Sequence, residues 1–111
     1  MQGEARRAAK AAYKARKPVA GIFAVRCLGT GQVWVGQGLN VETEQNRLWF
    51  ALRAGSESHR DLQDAWRRHG ADAFSFEVLE RLEDEELPYV RQALLKDRVA
   101  HWRGELAAGA V

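Results

Sequence analysis

The chain has 111 residues, 46% of them hydrophobic and 29% charged, and a single cysteine, Cys27. That length suits one domain with a core of its own. One cysteine excludes an internal disulfide and a cysteine-based zinc site, and no apolar run approaches the ~20 residues needed to span a membrane. Net charge is only +2, but it is unevenly placed: residues 1–17 carry six bases (Arg6, Arg7, Lys10, Lys14, Arg16, Lys17) against Glu4, and the rest carries 11 bases against 14 acids. A basic arm on a mildly acidic body points towards nucleic acid or another polyanion. The basic start lacks the apolar core of a signal peptide, so a cytoplasmic location is expected.

Residues 3–16 are rich in Ala, Arg and Lys, which favour helix. Helical spacing puts Arg6, Lys10, Lys14 and Lys17 on one basic stripe and Ala8, Ala12 and Ala15 on a slim face. Pro18 ends that helix, because the residue before a proline avoids the helical region. The stretch Gly21 to Gln37 then alternates as a hairpin. In its first strand Phe23, Val25 and Cys27 share one face and Ile22, Ala24, Arg26 and Leu28 the other. Gly29-Thr30-Gly31 supplies the turn, and the second strand sets Val33 and Val35 against Trp34.

Asn40 is the expected N-cap of a helix from Val41 to about Ala54. Its apolar stripe comprises Val41, Gln45, Leu48, Trp49 and Leu52, with Phe50 almost opposite and in need of a cover such as the alanine face of the first helix. Gly55 stops it. Ser56-Glu57-Ser58 is expected to open a second helix running to His69 with Leu62, Ala65 and Trp66 inward, stopped at Gly70. Ala73 to Leu82 reads as a third strand ending near Glu80. "EDEEL" places acids at the start of a last helix, where the helix dipole favours them. That helix has Leu87, Val90, Leu94, Val99, Trp102 and Leu106 as its apolar positions, and residues 108–111 are expected to fray. The order α-β-β-α-α-β-α makes an α+β domain over 18–107, a small three-stranded antiparallel sheet flanked by helices, with the basic helix of 1–17 packed on it or extending it.

Two short motifs at this spacing, "GIF" at Gly21–Phe23 and "VWVG" at Val33–Gly36, resemble the two halves of the signature of the GIY-YIG nuclease superfamily. "LQDAWRRHGADAFSFEVLERL", Leu62 to Leu82, is similar to that family's second helix, glycine stop and third strand, and a tryptophan near the end of the last helix also fits. The likeness runs from about Val19 to Leu106. Asn46-Arg47, Phe50, Leu52, Gly55 and the segment Leu62 to Glu80 resemble more specifically a bacterial set of small proteins with a basic N-terminal helix.

Hydrolysis of a phosphodiester needs a water, a base, a charge-stabilising metal and a cation near the phosphate. The resemblance implies a tyrosine from each half of the signature, an arginine on the following helix, and a glutamate on the last helix holding Mg2+ or Mn2+. The tyrosine slots here are Phe23, which has no polar atom, and Trp34, whose indole N–H only donates. The arginine slot falls on Glu44, with Arg47 one turn on. The glutamate slot falls on Val99, with Asp97 the nearest acid, on a different face of the helix. His59 sits where some family members place a histidine near the phosphate. With all four chemical positions altered, the expectation is a domain that no longer hydrolyses phosphodiesters by the family mechanism. It would bind DNA or another nucleic acid through Arg6, Arg7, Lys10, Lys14 and Lys17 of the arm and Arg53, Arg60, Arg67 and Arg68 of the middle helices. The alternatives are an active divalent-metal-dependent DNA endonuclease that uses Arg47 and Asp97, and a protein-interaction module that uses the acidic run at 83–86.

Overall fold

The computed structural model describes residues 18–111. The basic helix expected over residues 3–16, its cover for Phe50, and Arg6, Arg7, Lys10, Lys14 and Lys17 lie outside the described residues.

Two strands, β1 (Gly21–Cys27) and β2 (Val33–Gly38), form the hairpin. The carbonyl of Cys27 accepts the amides of Thr30 and Gly31, and Gly31 takes the positive φ (77°) that closes the turn. Helix α1 spans Val41–Ala54 and helix α2 spans Arg60–His69. A short 3-10 turn, Ala71–Ala73, leads into β3 (Phe74–Arg81), followed by helix α3 (Pro88–Leu106) and a two-residue strand, β4 (Gly109–Ala110). The sheet order is β3-β1-β2-β4. The central strand β1 runs antiparallel to both β2 and β3, and β4 runs parallel to β2.

The central strand β1 is buried on both faces, which is why it reads as a near-continuous apolar run. Phe23, Val25 and Cys27 join Trp34, Phe74, Leu48, Leu52, Leu62, Ala65 and Trp66 in a core under α1 and α2. Ile22 and Ala24 join Val35, Leu95 and Val99 in a second core under α3. The sheet is thus the middle of three layers. The first core is aromatic, with Phe23 stacked on Phe76 at 5.1 Å and Trp66 edge-on to Trp49 at 5.3 Å between centroids. Such pairs contribute about 0.5–1.5 kcal/mol beyond the area they bury.

One irregularity matters for placing polar groups. Phe23 pairs with Val78 and Ile22 with Glu80, so Leu79 is an extra residue in β3. Were Leu79 paired in regular register, strict alternation would aim Glu80 at the aromatic core. With Leu79 as the extra residue, Glu80 faces α3.

Several boundaries differ from the sequence reading. α2 begins at Arg60 rather than in Ser56-Glu57-Ser58, because side chains occupy that segment's backbone groups. Gln63 accepts the amide of Glu57 and donates to the carbonyl of Leu52, and Glu57 accepts the amide of His59. The acids of "EDEEL" precede α3, which starts at Pro88 after Leu87, so none lies in its first turn; Glu85 accepts the amide of Leu87 instead. On α3 the buried leucine is Leu95, and the neighbouring Leu94 is exposed. Gln45 is exposed on α1, and Asn40 caps that helix without a side-chain hydrogen bond. Residues 108–111 do not fray: β4 pairs with β2, the amide of Val111 donates to the carbonyl of Val35, and Val111 packs on the aromatic core. The antiparallel three-stranded sheet thereby becomes a four-stranded mixed one.

Candidate functional site

Phe23, at the centre of β1, is 1% exposed. Its ring lies over Gly36 of β2, so close that a Cβ there would sit 2.7 Å from Cζ and 2.5 Å from the carbonyl oxygen of Val111. Glycine at 36 is therefore a matter of room, and the ring and the chain's last residues share the space above it. Trp34 is also 1% exposed, and its Nε1 donates to Oδ2 of Asp61 at 2.8 Å. Asp61 comes from the first turn of α2, so this bond ties the edge of the hairpin to that helix. Gln32, Asp61, Leu106 and Gly109 border a shallow open cavity of about 220 Å³ beside it.

Glu44, in the first turns of α1, rests against Gly38 at the end of β2. Its Oε2 accepts from Nε and Nη2 of Arg47 at 3.0 and 2.6 Å, an intrahelical i,i+3 pair whose arginine is largely exposed. In the loop before α2, Nδ1 of His59 lies 2.9 Å from Oε1 of Glu57, a carboxylate only 8% exposed. Val99 is 5% exposed and belongs to the core on the other face of the sheet. Phe23 and Trp34 therefore face α1 and α2, while Val99 faces away from them beneath α3. Asp97 is exposed on α3.

The family resemblance implies a divalent metal, Mg2+ or Mn2+, at these positions. No group of three or more His, Cys, Asp or Glu side chains that could hold an ion occurs among the described residues. The ligand slot is a buried valine, and the two carboxylates nearest the other slots are committed to Trp34 and Arg47. The residues present do not fit Mg2+ or Mn2+.

The most elaborated carboxylate is one the sequence reading passed over. Glu80 accepts from Nε of Arg98 at 2.8 Å and from Nε1 of Trp102 at 2.9 Å. Burial pushes its carboxyl up, but the hydrogen bonds from Trp102 and Arg98, with the positive charge of Arg98 and His101, outweigh that and hold it below the usual glutamate range. Cys27 behaves similarly: burial opposes ionisation, yet hydrogen bonds from the Thr30 hydroxyl and from the amides of Thr30 and Gly29 draw its thiol below the ordinary cysteine value. Asp61, Glu57 and Glu80 were all missed for one reason. Each is defined by a partner on another element or by a bulge, and neither leaves a periodic signal.

Apart from Arg91 and Arg103 of α3, the latter donating to the carbonyl of Val35, the described arginines divide into two sets. Arg26 is paired with Glu77, Arg47 with Glu44, Arg81 with Glu42 and Arg98 with Glu80. Arg53, Arg60, Arg67 and Arg68 are exposed, and among the described residues none has an ion-pair or hydrogen-bond partner. Arg67 reaches back across the α1–α2 junction, its Nη2 lying 3.1 Å from where a Cβ on Gly55 would stand. One free guanidinium of α2 is thereby placed beside the end of α1, whose last turn carries Arg53.

This three-layer arrangement around the β3-β1-β2 sheet is the fold of a GIY-YIG nuclease catalytic domain, in agreement with the resemblance carried by the hairpin motifs. Among solved structures it is similar to a mutant of the catalytic domain of the intron endonuclease I-TevI, with 26% identity and a TM-score of 0.68 over 80% of this chain and 84% of that one. It is also similar to the catalytic domain of homing endonuclease I-TevI, with 24% identity and a TM-score of 0.69 over 83% of this chain and 97% of that one. No family model and no curated protein matches the sequence. No helix among the described residues is long and apolar enough to cross a membrane.

Proposed function

We propose that this chain is a nucleic-acid-binding domain built on the GIY-YIG nuclease fold, and that its family-site positions do not hydrolyse phosphodiesters. The observation that carries the binding half is the division of the arginines. Arg26, Arg81 and Arg98 are neutralised by acids and Arg103 is tied to the carbonyl of Val35, whereas the exposed Arg53, Arg60, Arg67 and Arg68 have no partner among the described residues. Unneutralised guanidiniums on the two middle helices suit phosphates, which give affinity without reading sequence. Both structural neighbours are endonuclease catalytic domains, which lends support from the side of the fold. The silent half rests on Phe23, which cannot move a proton, on the indole of Trp34 given over to Asp61, and on the apolar Val99.

Fluorescence anisotropy with labelled DNA across a salt series tests the binding half. Log affinity is expected to fall linearly with log salt, and each of Arg60→Ala, Arg67→Ala and Arg68→Ala should reduce the slope by about one. No binding at low salt and micromolar protein removes the reading. Incubating supercoiled plasmid with the protein and Mg2+ or Mn2+ tests the silent half. Persistence of the supercoiled form is expected, and metal-dependent nicking lost in Asp97→Ala would reinstate an active endonuclease.

A further inference from the structure

Helix α1 carries on its outer face a feature that neither the core nor the family site explains. Phe50 is 74% exposed, in a domain whose other phenylalanines are buried or packed against the aromatic core. Leaving a phenyl ring in water forgoes about 2 kcal/mol of burial. Residues three and four apart share a helix face, so its neighbours there are Asn46, Arg47, Arg53 and Ala54. Arg53 is exposed and has no partner among the described residues. Just past the end of the helix, Arg67 delivers its guanidinium to Gly55. Of the nearby acids Glu44 is held by Arg47, Glu42 by Arg81 and Glu57 by His59, while Asp64 of α2 stands one turn from Arg67 without an ion-pair partner among the described residues. The result is a wet aromatic ring with the free cation of Arg53 one turn on.

We infer that the outer face of α1 is a stacking platform for an unpaired base. The nucleic acid this domain takes is then single-stranded, or has at least one base out of the stack. The inference rests on the nucleic-acid reading above and deepens it. In a duplex every base face is already covered, so Phe50 has nothing to stack on, and only Arg53 and Arg67 contribute. In a single strand the ring takes a base face while the guanidiniums take the flanking phosphates, and base–aromatic stacking is worth ~1–3 kcal/mol per base. The free guanidinium of Arg53 beside the ring selects a polyanion as the occupant.

The test uses the full chain and anisotropy with short labelled single strands, one DNA and one RNA, against a hairpin duplex of the same composition. Phe50→Ala should weaken single-strand binding about tenfold and leave duplex binding within about twofold. Phe50→Trp should restore the single strand, and Phe50→Leu, apolar but unable to stack, should not. Arg53→Ala should weaken both forms. A difference between the DNA and RNA strands identifies which of the two the face prefers. The inference fails if Phe50→Ala leaves single strands unaffected or weakens duplex equally, or if Phe50→Leu binds as well as Phe50→Trp. A lowered melting temperature in Phe50→Ala with unchanged affinity would mean that a segment of protein covers the ring, and would overturn it. Absence of binding to either form would instead remove the underlying nucleic-acid reading.

Discussion

The two faces of the sheet solve the same packing problem with different materials. Under α1 and α2 the core is a ladder of rings, Phe23 on Phe76 and Trp66 against Phe74 and Trp49. Under α3 it is aliphatic and thinner, and a carboxylate at its margin, Glu80, is held by Arg98 and Trp102. The face that inherits the hairpin positions of the nuclease signature is the one filled with aromatic bulk. The buried-edge polar network lies on the face without them. Position in a signature and possession of polar chemistry have separated in this chain.

If the aromatic face is a packed core, truncating it should cost what core truncations cost. Trp34→Ala should destabilise by about 3–5 kcal/mol and also free Asp61, as read by urea denaturation. A loss under about 1 kcal/mol would mean that the ring lines an open cleft. Gly36→Ala should come next, at about 1–3 kcal/mol, because the Phe23 ring and the Val111 carbonyl must both move. A neutral result would show that the last residues of the chain do not stay over Gly36.

Glu80→Gln addresses the opposite face. It should cost about 1 kcal/mol, discounted for partial exposure, and the cost should depend on pH. The folded carboxyl titrates below its unfolded value of ~4.3. Its contribution is thus fully present above that value and is lost as pH falls through the lower, folded value. Melts from neutral pH downwards should show wild type and Glu80→Gln converging in acid, and a gap that stays constant would contradict the assigned cause. Smallest of all should be Arg47→Ala. Its pair with Glu44 has a largely exposed arginine, so stability should change by no more than about 0.5 kcal/mol, and a larger loss would give Glu44 a structural role against Gly38.

The hairpin was legible because β1 and β2 alternate cleanly, and the helix stops were legible because Gly55 and Gly70 take the positive φ that a helix end needs. What escaped was non-local. The start of α2 is set by Gln63 reaching back to Glu57 and Leu52, which outcompetes the local Ser/Glu signal. Leu94 and Leu95 are adjacent, and only the pose of α3 on the sheet decides which is buried. β4 forms because residues far back in the chain offer it an edge. Of the candidate site, the identities at Phe23, Trp34, Glu44 and Val99 could be read directly. That Val99 sits across the sheet from Phe23 and Trp34 could not, since a helical wheel gives a face but not the layer it meets.

The extra residue at Leu79 acts as a phase shift in the message that β3 carries. Upstream of it, odd and even positions address one pair of surfaces; downstream, the addresses are exchanged. Forcing the strand straight with Leu79 kept in the ladder would turn Glu80 over, leave Arg98 and Trp102 without their acceptor, and aim a charge at the rings. Removing Leu79 altogether would instead leave Glu80 opposite Ile22 and still facing α3. The extra residue is what lets two even-numbered positions, Val78 and Glu80, address opposite layers.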